Sequence, residues 1–457
     1  MEEKVKALIG RPLYPYILVL WFLAFKSSEC LVYFNAAVFA GCLALLGILM
    51  FILLRAFSFL PGIKWGPIFI SFVTVVFLFI EQVTSFLRNG SLSYHLSFSY
   101  GYLALLIPLA ALLSYLWARI IRSFNTYANL VANVFLLVFS FIEILGGYQV
   151  YKKELNLHKH VRAGGAYVGV PSKPTDIVWI LMDEYAASPC LQKDFGFTDP
   201  LDTFLERNGY TILPDIRTRS SVTLYSVNSI FNMDDSIVPA NYMYAHYYLD
   251  NSEWPDHLVS SGFSFTSFDF MGIGGVKCLQ DLNVFPQSYP EQIFYDTFLD
   301  MGKNMLKYYR RDIDRYNIEV ADTLDKVLGA RSGSPRFIWA HFLIPHMPFF
   351  RDSKGNPLAH PQKDVGGERE TSKGYVDYLV YGNNMLMKLI DRHPELKDKI
   401  VIISGDHGAR FPFIHDGDEY IRPYAAVHLP DHFDTTGLER VRYIQQLPAF
   451  IGSAAYK

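Results

Sequence analysis

The sequence predicts an α/β fold behind a helical membrane region: a multi-span N-terminal domain, then a globular domain built on a mostly parallel central sheet. Three observations carry this. Apolar segments dominate up to about residue 150, after which charges, Pro and Gly reach the density of a soluble domain. The second half holds three short apolar runs of the kind found in strands covered on both faces. Each run ends in carboxylate or imidazole: DIVWILMDE in Asp183 and Glu184, RFIWAHFLIPH in His346, and KIVIISGDH in Asp406 and His407. The expected organisation is a transmembrane domain over residues 1–150, a juxtamembrane linker over 151–173 and the α/β domain over 174–457.

In the membrane half, Leu31–Leu54 carries no charge and as a helix would be about 36 Å long, enough to cross the hydrocarbon core. Pro67–Leu87, Ser99–Trp117 and Ala128–Val150 are similar. Pro12–Phe25 becomes a span if it extends through Lys26; read instead as a signal peptide, it lacks an A-x-A-like cleavage site. The count is about five spans, or four without the first. Lys4, Lys6, Arg11, Arg55, Lys64, Arg119 and Arg122 then fall on one side, against Lys26 and Arg88 on the other. The positive-inside rule places the N-terminus in the cytoplasm and the globular half on the outer face, periplasmic or extracellular, of an inner or plasma membrane. Glu81 and Glu143 near span ends read as solvated structural acids or as lipid-handling groups. The basic run from Lys152 to Arg162 reads either as a contact with anionic head groups or as a solvated connection.

A net charge of −3 offers no footprint for nucleic acid. None of the four cysteines has zinc-site spacing, and Cys190 and Cys278 read equally as one disulfide or two thiols.

In the globular half, Pro200–Asn208 has helical spacing and Tyr210–Ile216 reads as a strand, which continues a βαβ rhythm. Ligands of parallel sheets collect at the carboxyl ends of strands. If the three acid- or imidazole-bearing strands are neighbours, their end groups meet at one edge in a set that suits a divalent metal. A single strand-end Asp183 also reads as a cap for the segment after it. In RTRSSVTLYSVNSIFNM, hydroxyls precede Leu224, Val227, Ile230 and Phe231 at helical spacing, so Thr223 stands at or near a helix N-terminus. There a hydroxyl serves either as a helix cap or as a nucleophile toward a phosphate held by the helix's positive end. Gly262–Asp269 reads as a strand, Tyr375–Asp391 as an amphipathic helix packed on the sheet, and Tyr424–Leu429 as a closing strand. His415 is a lone loop histidine open to a second-metal or substrate role.

MDEY at a strand end, the hydroxyl-rich helix start at Thr223, PHMPF and SGDHG, in that order, resemble the alkaline phosphatase and sulfatase superfamily. The likeness is to its membrane-anchored branch, which includes lipoteichoic acid synthases and phosphoethanolamine transferases, and it covers about residues 174–432. It implies an alkaline-phosphatase-like α/β domain in which Asp183, Thr223, Asp406 and His407 hold one divalent metal, Zn or Mn. Thr223 would be the nucleophile, His346 a substrate contact and Glu184 an alternative to Asp183. The implied activity is transfer of a phosphoethanolamine- or phosphoglycerol-type unit from a phospholipid donor to an envelope glycan, glycerol or lipid acceptor. No C/S-x-P-x-R motif stands near Thr223, which argues against sulfate ester hydrolysis. A hydrolase using water as acceptor and a non-catalytic membrane scaffold are the other readings.

Overall fold

The structure, a computed structural model, describes residues 11–59, 66–80, 82, 108–109, 111–116, 125–163, 170–171, 173–233, 238–274, 276, 282, 286–309, 311–362 and 367–453. The chain forms two compact units: Met1–Lys153 with Pro286–Leu306, and Glu154–Phe285 with Lys307–Lys457.

The first unit is helical, with α1 Tyr14–Ser28, α2 Ala36–Ser58, α3 Gly66–Leu78 and α4 Asn125–Ala163. Asn35 starts α2 by accepting the N–H groups of Ala37 and Val38 at 3.0 and 3.1 Å. Leu45, Ile48 and Ile52 on α2 are more than half exposed, a surface suited to lipid. Among the described residues, α2 and the Tyr127–Leu157 stretch of α4 are long and apolar enough to cross a membrane, whereas α3 is shorter. Glu81 and most of the span expected at Ser99–Trp117 lie outside the described residues, and Glu143 is half-buried on α4. Helix α4 runs through the first part of the expected linker to Ala163. From Tyr151 onward, no Gly or Pro interrupts it before Gly164.

Pro286–Leu306, from the middle of the globular half, belongs to this first unit. Tyr289 Oη and Ser27 Oγ are 2.6 Å apart, Gln292 Nε2 donates to Glu29 Oε2 at 2.7 Å, and the Phe298 and Phe77 rings lie 5.2 Å apart.

The second unit is organised on a six-stranded sheet. Its strands are β1 Ile177–Met182, β2 Thr211–Ile212, β3 Ser264–Phe268, β4 Arg336–Phe342, β7 Ile400–Gly405 and β8 Ala425–His428, in the order β2-β8-β7-β1-β4-β3. A separate antiparallel pair, β5 Phe349–Arg351 and β6 Pro357–Gln362, follows β4 in the chain. β3, β4, β1 and β7 run parallel; β8 and β2 add antiparallel strands at one side. Every residue of β1, β4 and β7 is buried, which explains their unbroken apolar character. The helices that pack near the strand ends include α5 Thr223–Asn232, α6 Asp312–Gly329 and α7 Glu368–Arg392.

Register is set at the amino edge of the sheet. Asp176 takes the Arg336 guanidinium at 2.8 Å and the Lys399 ammonium at 2.9 Å, and its Oδ1 accepts the Arg336 N–H at 2.9 Å. One carboxylate thus ties together the starts of β1, β4 and β7. Ile177 lies opposite Phe337 and Ile400, and Met182 opposite Phe342 and Gly405, so all three strands finish level. The expected strand Tyr210–Ile216 narrows to Thr211–Ile212, because Pro214 cannot donate to a ladder. β4 leaves the sheet after Phe342, where the Leu343 N–H is taken by Asn317 Oδ1 of α6 at 2.8 Å.

Candidate metal centre

Because β1 and β7 are adjacent, parallel and level, the residues following them share one edge. Asp183 follows β1 directly, and Asp406 and His407 follow β7; all three are buried, with ligand atoms within 4.8 Å of one another. His407 Nε2 lies 3.2 Å from Asp406 Oδ2 and 3.6 Å from Asp183 Oδ1. The His407 Nδ1–H donates to the Gly408 carbonyl at 2.8 Å, so its Nε2 presents a lone pair. Asp183 Oδ1 and Asp406 Oδ2 are buried without a hydrogen-bond partner. Three electron-rich atoms facing each other in a dry site repel unless a cation lies among them, so the donor set fits a divalent metal such as zinc or manganese.

The protonation pattern agrees. Burial, reinforced by the Asp406 charge, pushes the Asp183 carboxyl well above the usual range. Burial pushes Asp406 the same way, but His407 and the Glu184 N–H, which donates to Oδ1 at 3.0 Å, outweigh it and hold Asp406 low. Burial pushes His407 down, against the pull of the Asp406 charge.

Thr223 is the first residue of α5. Val222 is the N-cap and no side chain caps the helix, so the Thr223 hydroxyl is not spent on the role a helix-start threonine usually plays. Its Oγ1 lies 3.5 Å from His407 Nε2. Ser226, one turn on, donates to the Asp406 carbonyl at 2.6 Å and meets Thr218 Oγ1 at 2.8 Å, which docks α5 against the β7 end.

Glu184 lies outside this ligand group, contrary to its expected alternative role. Its φ of 65° turns the chain out of strand alternation. The buried carboxylate instead accepts the Arg410 N–H at 2.9 Å and lies 3.8 Å from His346 Nε2. His346 is partly exposed beside Glu184 and is not in the ligand group. His415 is exposed and is likewise not in it. Cys190 is a buried thiol, and Cys278 lies outside the described residues.

Two further buried groups approach the centre. His341, on β4, places Nε2 3.9 Å from Asp183 Oδ2, with Nδ1 3.1 Å from Asp269 Oδ2. Asp269 is itself fixed by Trp339 Nε1–H at 2.7 Å and the Met271 N–H at 2.9 Å. With its Nδ1–H given to Asp269, His341 turns an unpartnered Nε2 toward Asp183. Neither residue stands out in the sequence; the available signal is that Trp339 and His341, two apart on β4, share a face and require a polar partner.

No family model and no curated protein matches the chain. Among solved structures, it is similar to the integral membrane lipooligosaccharide phosphoethanolamine transferase A from Neisseria meningitidis, at 14% identity over 98% of this chain and 92% of that one, with a TM-score of 0.41. It is also similar to the C-terminal periplasmic domain of the Escherichia coli protein EptC in complex with Zn, at 12% identity over 62% of this chain and 84% of that one, TM-score 0.40. A third is the lipoteichoic acid synthase LtaP from Listeria monocytogenes, at 14% identity over 60% of this chain and 72% of that one, TM-score 0.36.

Proposed function

We propose that the chain is a membrane-anchored, metal-dependent transferase. It carries a phosphoethanolamine- or phosphoglycerol-type unit from a phospholipid to an envelope glycan or lipid acceptor, through a phosphothreonine at residue 223. The observation that supports this most is the uncapped Thr223 hydroxyl beside three buried, electron-rich ligand atoms. Asp183, Asp406 and His407 would hold the cation, with Thr223 Oγ1 at its side. When bound, a divalent cation supplies positive charge that favours the ionised hydroxyl and the phosphoryl oxygens.

The remaining chemistry belongs to the chain. The Thr223 hydroxyl gives up its proton and its oxygen attacks phosphorus as the bond to the diacylglycerol oxygen breaks; that oxygen leaves with a proton, so the step is proton-neutral. His346 stands at the partly exposed side of the site, suited to give that proton or to steady a phosphoryl oxygen. An acceptor hydroxyl then displaces Thr223 from phosphorus and loses its proton, which regenerates the free side chain. The apolar helices of the first unit keep such a chain in the bilayer that contains its donor.

The test is to incubate the full-length protein with labelled phosphatidylethanolamine or phosphatidylglycerol and Mn²⁺ or Zn²⁺, quench it in acid and weigh the Thr223 peptide. A head-group phosphate adduct, absent from T223A, is expected; an unmodified Thr223 with every lipid would sink the mechanism. Release of phosphoethanolamine or phosphoglycerol without an added acceptor would identify a hydrolase instead.

A further inference from the structure

Away from the ligand group, α6, α7 and the turn between β5 and β6 line a cleft of about 250 Å³. Helix α6 contributes Ile318 and Asp322, α7 contributes Tyr381, Met385 and Lys388 at helical spacing, and the turn contributes Lys354. The turn is a fixed wall. Asp352 Oδ1 accepts the Lys354 and Asn356 N–H groups at 2.9 and 2.8 Å, and Arg351 Nη1 donates to the Gly355 carbonyl at 2.8 Å. Asn384 Nδ2 reaches across to the Ser353 carbonyl at 3.3 Å. Gly355, at a φ of 84°, lies against the Tyr381 ring, where a Cβ would come within 3.2 Å.

The polar groups that face this cleft are unspent. Among the described residues, Lys354 and Lys388 are in no ion pair, and the Asp322 carboxylate and Tyr381 hydroxyl make no hydrogen bond. Arg392 at the same rim is by contrast taken by Asp325 at 3.0 Å. Burial raises the Tyr381 hydroxyl above the ordinary phenol value, against the Arg351 charge, so it remains a proton donor. The cleft therefore offers two cations, an acceptor-only carboxylate and a hydroxyl around the apolar Ile318 and Met385.

That combination selects among ligands. A bare inorganic anion would meet the Asp322 charge and leave the apolar side chains unused. A flat base would need an open aromatic face, but the Tyr381 ring is stacked on Tyr378 at 5.9 Å and has the Arg351 guanidinium 5.6 Å from its centroid. A sugar ring has an apolar C–H face and hydroxyls that both donate and accept, and an anionic substituent would use the lysines. The volume is below that of a pocket for a drug-sized ligand, which suits one such ring.

We propose that this cleft binds an anionic hexose, such as a uronate. Lys354 and Lys388 meet its anionic substituent, Asp322 and Tyr381 its hydroxyls, and Ile318 and Met385 its apolar face. The site is separate from the transfer chemistry. On the same turn of α7, Asn383 faces inward, donating to Asp199 Oδ1 at 2.8 Å, while Tyr381 and Asn384 line the cleft.

Full-length wild type, the double variant K354Q/K388Q, D322N and Y381F are titrated with galacturonate, galactose and acetate by ligand-observed NMR, with melting temperatures as the check on folding. The wild type should bind galacturonate more tightly than either galactose or acetate. In K354Q/K388Q the galacturonate Kd should rise about 10-fold, the loss of a charge-assisted contact, with galactose unaffected. That difference should shrink as salt is raised to about 1 M, where charges are screened within about 3 Å. D322N and Y381F should weaken galacturonate and galactose alike. A wild type that binds neither sugar, or folded variants with wild-type affinity, overturns the inference. Trigalacturonate separates the sources of the ligand: tighter binding than galacturonate assigns the site to a glycan chain, and equal binding assigns it to a single sugar. Adduct formation at Thr223 should be unchanged in all three variants. If the wild type forms no adduct but these variants still lose galacturonate, the transferase reading falls and the sugar site stands.

Discussion

Ser226 Oγ donates to the Asp406 carbonyl at 2.6 Å, a bond that joins the helix carrying Thr223 to the strand end carrying two ligand-type residues. Both sit at 0% exposure, so S226A would strand a buried carbonyl and cost about 1–3 kcal/mol, read as a lower denaturant midpoint. Because Thr223 lies one turn away, adduct formation at Thr223 should slow in S226A, while S226T, which keeps a hydroxyl, should retain more of it.

His341 Nε2 lies 3.9 Å from Asp183 Oδ2, with Asp269 behind it on Nδ1. H341A and D269N should each weaken zinc binding about 10- to 100-fold, the usual effect of removing an outer-shell partner, measured by competition with a chromophoric chelator. Wild-type affinity in both variants would show that the pair serves packing alone.

Removing the metal should reverse the sign of the pH dependence contributed by Asp183. In the metal-free protein its carboxyl titrates above the ordinary value because of burial and then the Asp406 charge. A carboxyl raised in the folded state contributes stability that is full below the unfolded value of about 4 and lost as pH climbs through the raised value. Chelated protein should therefore melt progressively lower above about pH 4, while zinc affinity increases over the same range as the cation displaces that proton.

Asp199 supplies an independent test away from the metal. It receives the Tyr185 hydroxyl at 2.5 Å and the Asn383 amide at 2.8 Å, and burial raises its carboxyl to about 6. The sign is the same: stability from this group is full below about pH 4 and lost as pH passes 6, a swing of about 3 kcal/mol. D199N keeps an acceptor for the Leu201 N–H, made at 2.9 Å in the wild type, and should flatten that part of the stability profile.

What could be read from the sequence was what the chain encodes locally. Asp183, Asp406 and His407 stood out because apolar runs end in them, and Thr223 because helical spacing begins there. The apolar register favours Asp183 over Glu184, but where the Glu184 carboxylate goes could not be read, since a φ of 65° turns the chain there and the carboxylate accepts the Arg410 N–H. The His341–Asp269 pair joins residues 72 apart through the adjacency of β3 and β4, and apolar periodicity does not reveal which strands are neighbours. For the same reason Pro286–Leu306 read as part of the globular half, although Tyr289 and Gln292 pair with residues that directly follow α1 or lie near its end.

The Asp176 clasp has a consequence for the order of maturation. It aligns β1, β4 and β7 from the edge opposite the ligands, using only Arg336 and Lys399, so the strands are levelled without any ion at the other end. A slip of one residue would send alternate side chains to the wrong face, and the clasp opposes that slip from the moment the sheet forms. A cation held by Asp183, Asp406 and His407 would therefore enter a socket already shaped, with no refolding of the sheet needed to accept it.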